Sequence, residues 1–322
     1  MEKNALIDML NKDLADEHAS VVRYLIHAYQ AGEDTPLGSM LLTMAREEMW
    51  HMDWLADEIG EMGAEPDMKQ GIYPHDPTSN ASLLRSYIEW EDGLVKSYAE
   101  QARRVDKPDV KRILLQQSRE SATHSSRFAA MLEKLGPEGE EQLVREETGG
   151  FSPELVQRLQ GEMTEEYRLV LQHLRHAFVF EEESCPVGSE LELTAMRHMK
   201  HLSHFAEELS ESGHEPLFTH PTLDASQAIS PALHSDIKLT QEARARFEEL
   251  SQSSELEEHQ GLKLEVENMV AQEEFLTATV EGLLEEGREA PADSGDEAAE
   301  GTQSEPPQQS ADKFTVGSLI ER

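Results

Sequence analysis

Apolar side chains recur at helical spacing along most of the chain. Leu6, Leu10, Leu14, Val21, Leu25 and Ala28 form the first stripe, three or four residues apart as one face of a helix requires. The pattern breaks between Gly32 and Gly38, around Pro36, and resumes over about residues 38–62. It stops at Gly63-Ala64-Glu65-Pro66, a glycine suited to leaving a helix and a proline that cannot continue one. A loop with Gly71, Pro74, Pro77 and Asn80 leads to a third helix over about 81–105, and Lys107-Pro108-Asp109 opens a fourth that runs to Leu135. Four helices with mostly short connections predict an up-down bundle over residues 1–136.

Residues 137–151 read as a polar linker, and Ser152-Pro153 as an N-cap with proline in the first turn. The chain then repeats itself. A shift of 150 pairs Gly38 with Gly188, Leu41 with Leu191, Met49 with Met199, His51 with His201, Ala56 with Ala206 and Glu58 with Glu208. The same shift superposes Gly63, Glu65 and Pro66 on Gly213, Glu215 and Pro216. A shift of 149 pairs Leu10 with Leu159, Glu17 with Glu166, Val21 with Val170, His27 with His176, Ile88 with Ile237 and Tyr98 with Phe247. Amphipathicity alone would not reproduce the Gly-x-Glu-Pro stop, so residues 152–287 are read as a second copy of the unit.

Residues 288–311 are dominated by Ala, Glu, Pro, Gln, Ser and Gly and hold no large apolar side chain. Such a stretch cannot bury enough surface to order itself and is expected to be a disordered linker. The segment 312–322 turns apolar again at Phe314-Thr315-Val316-Gly317-Ser318-Leu319-Ile320, the pattern of a tethered docking peptide. The fold class is all-α: two tandem four-helix bundles followed by a disordered tail.

Charge narrows the partners. Acidic residues outnumber basic ones 65 to 28, for a net charge of −37. With the basic residues scattered, neither nucleic acid nor an anionic membrane suits as a main partner; metal cations fit better. One cysteine, Cys185, cannot build a disulfide framework or a thiolate zinc site. Glu2, Asp8 and Asp13 interrupt the apolar run a secretory signal needs, and no stretch approaches the ~20 apolar residues of a membrane span. The expectation is a soluble, cytoplasmic protein.

Candidate chemistry lies on the apolar faces. Glu48-x-x-His51 places a carboxylate and an imidazole one turn apart, on the face marked by Met44, Leu55 and Ile59. Glu17 lies among Leu14, Val21 and Tyr24, and Glu91 among Leu84, Ile88, Leu94 and Tyr98; His124 is flanked by Phe128 and Leu132. Three carboxylates and two histidines facing one core would be very costly unless a cation compensates them.

These residues carry a resemblance. Leu10-Asn11-Lys12-Asp13-Leu14-Ala15-Asp16-Glu17, Arg46-Glu47-Glu48-Met49-Trp50-His51 and Glu91 with Tyr98 resemble the ferritin-like superfamily, nearest bacterioferritins and rubrerythrins, over about residues 5–135. The resemblance implies Glu17 and Glu91 as single-carboxylate iron ligands, Glu48 as a bridge, and His51 and His124 as nitrogen ligands. Glu17, Glu48 and Glu91 would carry the chemistry, and Tyr24 and Tyr98 would support it. The pattern departs at Ser121, where a further Glu should stand three residues before His124; Glu120 is one position off, about 100° around the helix. One or two iron ions per chain are therefore expected. In the second copy His198 replaces Glu48 and Thr240 replaces Glu91, leaving Glu166, His198 and His201; a mononuclear site and a decayed copy kept as a bundle partner both stay open. Met49 follows Glu48 as a haem-ligating methionine does in bacterioferritins, which would put a haem between Met49 and Met199, although methionine is also an ordinary core filler.

Residues 314–319 are similar to the C-terminal cargo-loading peptides of encapsulin nanocompartments, which implies an encapsulin shell protein as partner and a location inside that shell. Together the resemblances imply a cargo that oxidises Fe(II) with dioxygen or peroxide for iron storage or detoxification. A rubrerythrin-like peroxidase or other di-metal oxidase, and a non-catalytic metal-binding cargo, are the alternatives. Whether chains form a homo-oligomer stays open.

Overall fold

The computed structural model describes residues 1–143, 150–180 and 185–289. The described residues are helical, with no strand, in the order α1 (Lys3–Ala31), α2 (Pro36–Glu61), α3 (Asn80–Arg104), α4 (Pro108–Leu135), α5 (Pro153–Phe180), α6 (Cys185–Glu211), α7 (Ile229–Ser251) and α8 (Gln260–Glu289). No helix among them is long and apolar enough to cross a membrane. Local chemistry sets the boundaries. The Thr35 hydroxyl accepts from the Gly38 amide ahead of α2, with Pro36 in the first turn, and Ser79 and Ser82 form a reciprocal capping box at α3. The Leu155 amide donates to the Ser152 hydroxyl at 3.1 Å, as the Ser-Pro pair predicts. Gly63 (φ 65°) and Gly213 (φ 87°) both adopt the left-handed conformation. Behind each, an amide reaches back to the last turn, Ala64 to the Ile59 carbonyl and His214 to the Leu209 carbonyl.

The topology differs from a simple up-down bundle. Residues 64–79 run along α1 instead of making a turn: the Asp67 amide donates to Asn11 Oδ1 at 2.6 Å and the Gly71 amide to the Ala15 carbonyl at 2.8 Å. Further on, Arg23 meets His75 and Tyr24 meets Tyr73. Starting at the far end of α1, α3 runs antiparallel to it, with Tyr24 against Glu91, Glu17 against Tyr98 and Asp13 against Gln101. Helices α2 and α3 are thus parallel, and α2 packs on α4. The connection 214–228 crosses α5 the same way, through Gln160 and Leu217, Gln172 and Asp224, and Arg175 and Ser226.

The two bundles pack through α1 on α6 and α2 on α5, and one apolar cluster runs through both, including Leu10, Leu55, Leu159 and Phe205. The Tyr167 hydroxyl donates to His18 Nε2 at 2.6 Å, burial holding that imidazole down at about 4 and therefore neutral. These two positions are repeat mates, which is what a pseudo-twofold axis requires where it crosses the interface. Arg175 Nε donates to Glu65 at 2.6 Å, and the hydroxyls of Tyr29 and Ser203 meet at 2.8 Å.

Two expectations change. The segment read as a linker contains a 3-10 helix, Gly136–Glu140, and Gln142 bridges to Ser79. Helix α8 runs through residues 288 and 289, which were assigned to the disordered linker. The rest of that linker and the peptide at 312–322 lie outside the described residues.

A cost of bringing α1 and α2 together is that Gly38 has no room for a side chain: a Cβ there would land on the Gly32 carbonyl and 3.0 Å from the Ala28 oxygen. Gly38→Ala is expected to destabilise the protein by about 1–3 kcal/mol, measured as a lower denaturant midpoint.

Candidate metal centre

In the first bundle Glu17 comes from α1, Glu48 and His51 from α2, Glu91 from α3 and His124 from α4, and all five side chains are 0 % exposed. They fall into two triads, Glu17–Glu48–His51 and Glu48–Glu91–His124, each with its potential ligand atoms within 4.8 Å of one another. Glu48 belongs to both. Its Oε2 lies 2.7 Å from His51 Nδ1 and its Oε1 2.9 Å from His124 Nδ1. Glu17 Oε1 is 3.4 Å from His51 Nδ1, and Glu91 Oε1 is 3.8 Å from His124 Nδ1. Second oxygens of Glu17, Glu48 and Glu91, and His51 Nδ1, have no hydrogen-bond partner, so polar atoms converge here without satisfying one another. The donor set of carboxylate oxygen and imidazole nitrogen is one that suits iron.

The surrounding groups orient this set. The Tyr24 hydroxyl donates to Glu91 Oε1 at 2.6 Å, and that of Tyr98 donates to Glu17 Oε1. Burial, with Glu91 beside Tyr24 and Glu17 beside Tyr98, keeps both phenols protonated. His51 Nε2 donates to Glu120 Oε2 and His124 Nε2 to Glu47 Oε2, each at 2.7 Å. A proton fixed on Nε2 leaves Nδ1, turned to the carboxylates, as the nitrogen that gives up its proton when a cation binds. Glu120 lies on the far side of His51 from the other carboxylates and holds the ring there. Glu47 does the same for His124, a role the sequence reading did not give it. The signal was present only as an acidic neighbour of Glu48, indistinguishable from any solvated glutamate. Ser121 is 0 % exposed and its hydroxyl has no partner.

Protons currently balance the cluster. Burial and the charge of Glu48 push Glu17 up to about 8 and Glu91 to about 7. Against the cost of burial, His124 and His51 hold Glu48 well below the usual carboxylate range. Against the same cost, Glu17 and Glu48 hold His51 charged, and Glu48 and Glu47 do so for His124.

The second bundle also forms a group. Glu166, His198 and His201 come together, and Glu273 of α8 joins them, with ligand atoms within 4.8 Å. Glu273 stands at the His124 position under the shift of 149; that mapping was the signal for it, hidden because the residue type had changed. Met49 and Met199 both line one interbundle cleft of ≈ 370 Å³, with Tyr29, Arg46, Glu33 and Glu207 on its walls.

Residues 7–137 match the family model of the ferritin-like domain, a span that covers the first bundle. The chain has no match among curated proteins.

The outer carboxylates give a direct test of the ligand geometry. Glu120→Ala is expected to weaken divalent-cation binding in the first bundle by roughly 10–100-fold, by titration calorimetry, with unchanged circular dichroism.

Proposed function

We propose that the ferritin-like first bundle oxidises Fe(II) to Fe(III), and that the chain does so as cargo of an encapsulin shell. The observation that carries the first part is Glu48 shared between two triads, which supports a pair of iron sites joined by one carboxylate. Iron here is substrate. Glu17, Glu48 and His51 bind one ferrous ion; Glu48, Glu91 and His124 bind the other. Two ferrous ions give up one electron each, and dioxygen takes the two electrons and two protons to become hydrogen peroxide. With peroxide as oxidant, the same two electrons and two protons yield two waters. Protons on Glu17, Glu91 and the two histidines leave as the cations enter. Tyr24 and Tyr98 hold the outer carboxylates in position, and the buried, Tyr- and Phe-lined core limits water. A neighbouring aromatic set, Tyr73, Tyr87 and Phe128, packs around Tyr24.

The docking part rests on Phe314, Thr315, Val316, Gly317, Ser318, Leu319 and Ile320. Their apolar side chains would enter pockets on the inner shell wall, with Gly317 allowing close backbone approach, and mineral would collect in the lumen. A haem between Met49 and Met199 finds its thioether pair on one cleft. The same walls carry Glu33 and Glu207 beside Arg46 and Lys200, and no step is assigned to haem.

Anaerobic Fe(II) titration of the metal-free chain followed by oxygen tests the oxidase reading. The wild type is expected to develop ferric absorbance rapidly, and Glu48→Ala to fall to the uncatalysed rate while keeping its helicity. Equal rates in the two proteins would overturn the assignment. Turnover only with peroxide plus a reductant would favour the peroxidase, and binding without oxidation the storage cargo. Separately, deleting residues 314–322 is expected to abolish co-purification with a co-expressed encapsulin shell and to leave iron oxidation unchanged; undiminished loading would remove the docking assignment.

A further inference from the structure

The second bundle is outside the span of the family match, and its core has lost the elements of a paired iron site. Thr240 occupies the Glu91 position, its hydroxyl engaged by Thr277 at 3.1 Å, and Val270 occupies the Ser121 position. His173 stands where Tyr24 does and Phe247 where Tyr98 does, so neither phenol donor remains. A decaying site would be expected to fill with apolar side chains. This one keeps two carboxylates and two imidazoles buried together.

Glu166 and Glu273 are both 0 % exposed, as is His198, and His201 is 1 % exposed. The two imidazoles aim the same atom at the same two carboxylates. His198 Nδ1 lies 2.9 Å from Glu166 Oε2 and 3.4 Å from Glu273 Oε1; His201 Nδ1 lies 3.3 and 3.2 Å from those oxygens. Neither oxygen of Glu273 makes a hydrogen bond, and Glu166 Oε1 has only Arg246, at 3.7 Å, within ion-pair range. Arg246 is engaged with Glu162 at 3.0 Å. His201 Nε2 donates to Gln272 Oε1 at 3.0 Å, which leaves Nδ1, turned to the carboxylates, as the nitrogen that would exchange its proton for a cation, a support of the kind Glu120 gives His51. Gln272 is not the repeat mate of Glu120; a different residue of the corresponding helix has taken the same post.

We propose that the second bundle holds one resident divalent ion of the zinc class, bound by Glu166, His198, His201 and Glu273. Two imidazole nitrogens and two carboxylate oxygens form a closed four-ligand set whose charge a divalent ion neutralises. Calcium and magnesium ask for six or more oxygens, which this enclosed core does not offer. A zinc-class ion neither gains nor loses electrons there. It ties α5, α6 and α8 together, while α7 contributes none of the ligands. Oxidisable iron is thereby left to the first bundle, and the second bundle gains a fixed cross-link at its centre.

The test is a Co²⁺ titration of the metal-free full chain carrying Glu48→Ala, with visible ligand-field bands reporting a four-coordinate site. One tightly bound cobalt per chain is expected, displaced by Zn²⁺ with loss of the bands. Adding Glu273→Gln, which removes a ligand charge at nearly constant volume, is expected to lose the ion; His201→Asn serves as a second variant should the first misfold by circular dichroism. A helical Glu48→Ala chain that binds no cobalt, or a folded Glu273→Gln or His201→Asn chain that binds it as tightly as its parent, overturns the proposal. Because every variant lacks Glu48, the result is independent of iron oxidation in the first bundle.

Discussion

Negative charge buried around Glu48 sets the terms for the rest of the first bundle. Both its oxygens face imidazoles, one on its own helix α2 and one on α4, and Glu17 and Glu91 crowd in behind them. Unpaired carboxylates in a closed core are too costly to keep, so every helix must deliver a compensating group to the same depth. That requirement explains the crossing connection. Tyr24 can reach Glu91 and Tyr98 can reach Glu17 only if α3 runs antiparallel to α1, and the chain must first travel back along α1 through residues 64–79 to start α3 there. The path is itself held to α1 by Asn11 and the Ala15 carbonyl, so the loop is part of the bundle and not a slack tether.

Duplication answers a second constraint. A long α1–α2 face left apolar would need a partner, and the second copy supplies the same face turned around. His18 and Tyr167 meeting at repeat-mate positions follow from that symmetry, and the shared apolar cluster fills the space around them. Once the interface fixes the relative placement of the bundles, the core of the second copy is free to change its chemistry. It kept Glu166 and His201, exchanged Glu48 for His198 and His124 for Glu273, and surrendered the tyrosines that only a carboxylate-rich site needs.

Much of this was legible in the chain because helices announce themselves by spacing. The stripes, the Ser152-Pro153 start and the Gly63 and Gly213 stops are local, and a local rule decides each. The inward glutamates were legible for the same reason: a charged residue on an apolar stripe is an anomaly that spacing exposes. What was not legible depends on rotation and on neighbours far along the chain. Glu120 and Glu47 lie on flanks where acidic residues are common, and only their 2.7 Å contacts with imidazole nitrogens separate them from solvated ones. Glu273 was obscured by a change of type at a position the repeat pairs with His124. The parallel arrangement of α2 and α3 depends on hydrogen bonds between the loop and α1, which no periodicity records.

Ser121 connects the geometry of the first site to what that site would do. The ferritin-like pattern has a fourth carboxylate there, and this chain has a buried hydroxyl without a partner. Three carboxylates fall one charge short of neutralising two ferrous ions and three short of two ferric ions. A set with the fourth carboxylate would hold the oxidised pair more tightly, because each added positive charge gains more from an added negative neighbour in a low-dielectric core. In the proposed oxidase its absence would therefore weaken retention of ferric product more than capture of ferrous substrate. For an oxidase whose product must leave for a surrounding compartment, weaker retention favours turnover, whereas for a permanent di-iron cofactor it would be a defect. The missing carboxylate thus fits iron as something that passes through the first bundle.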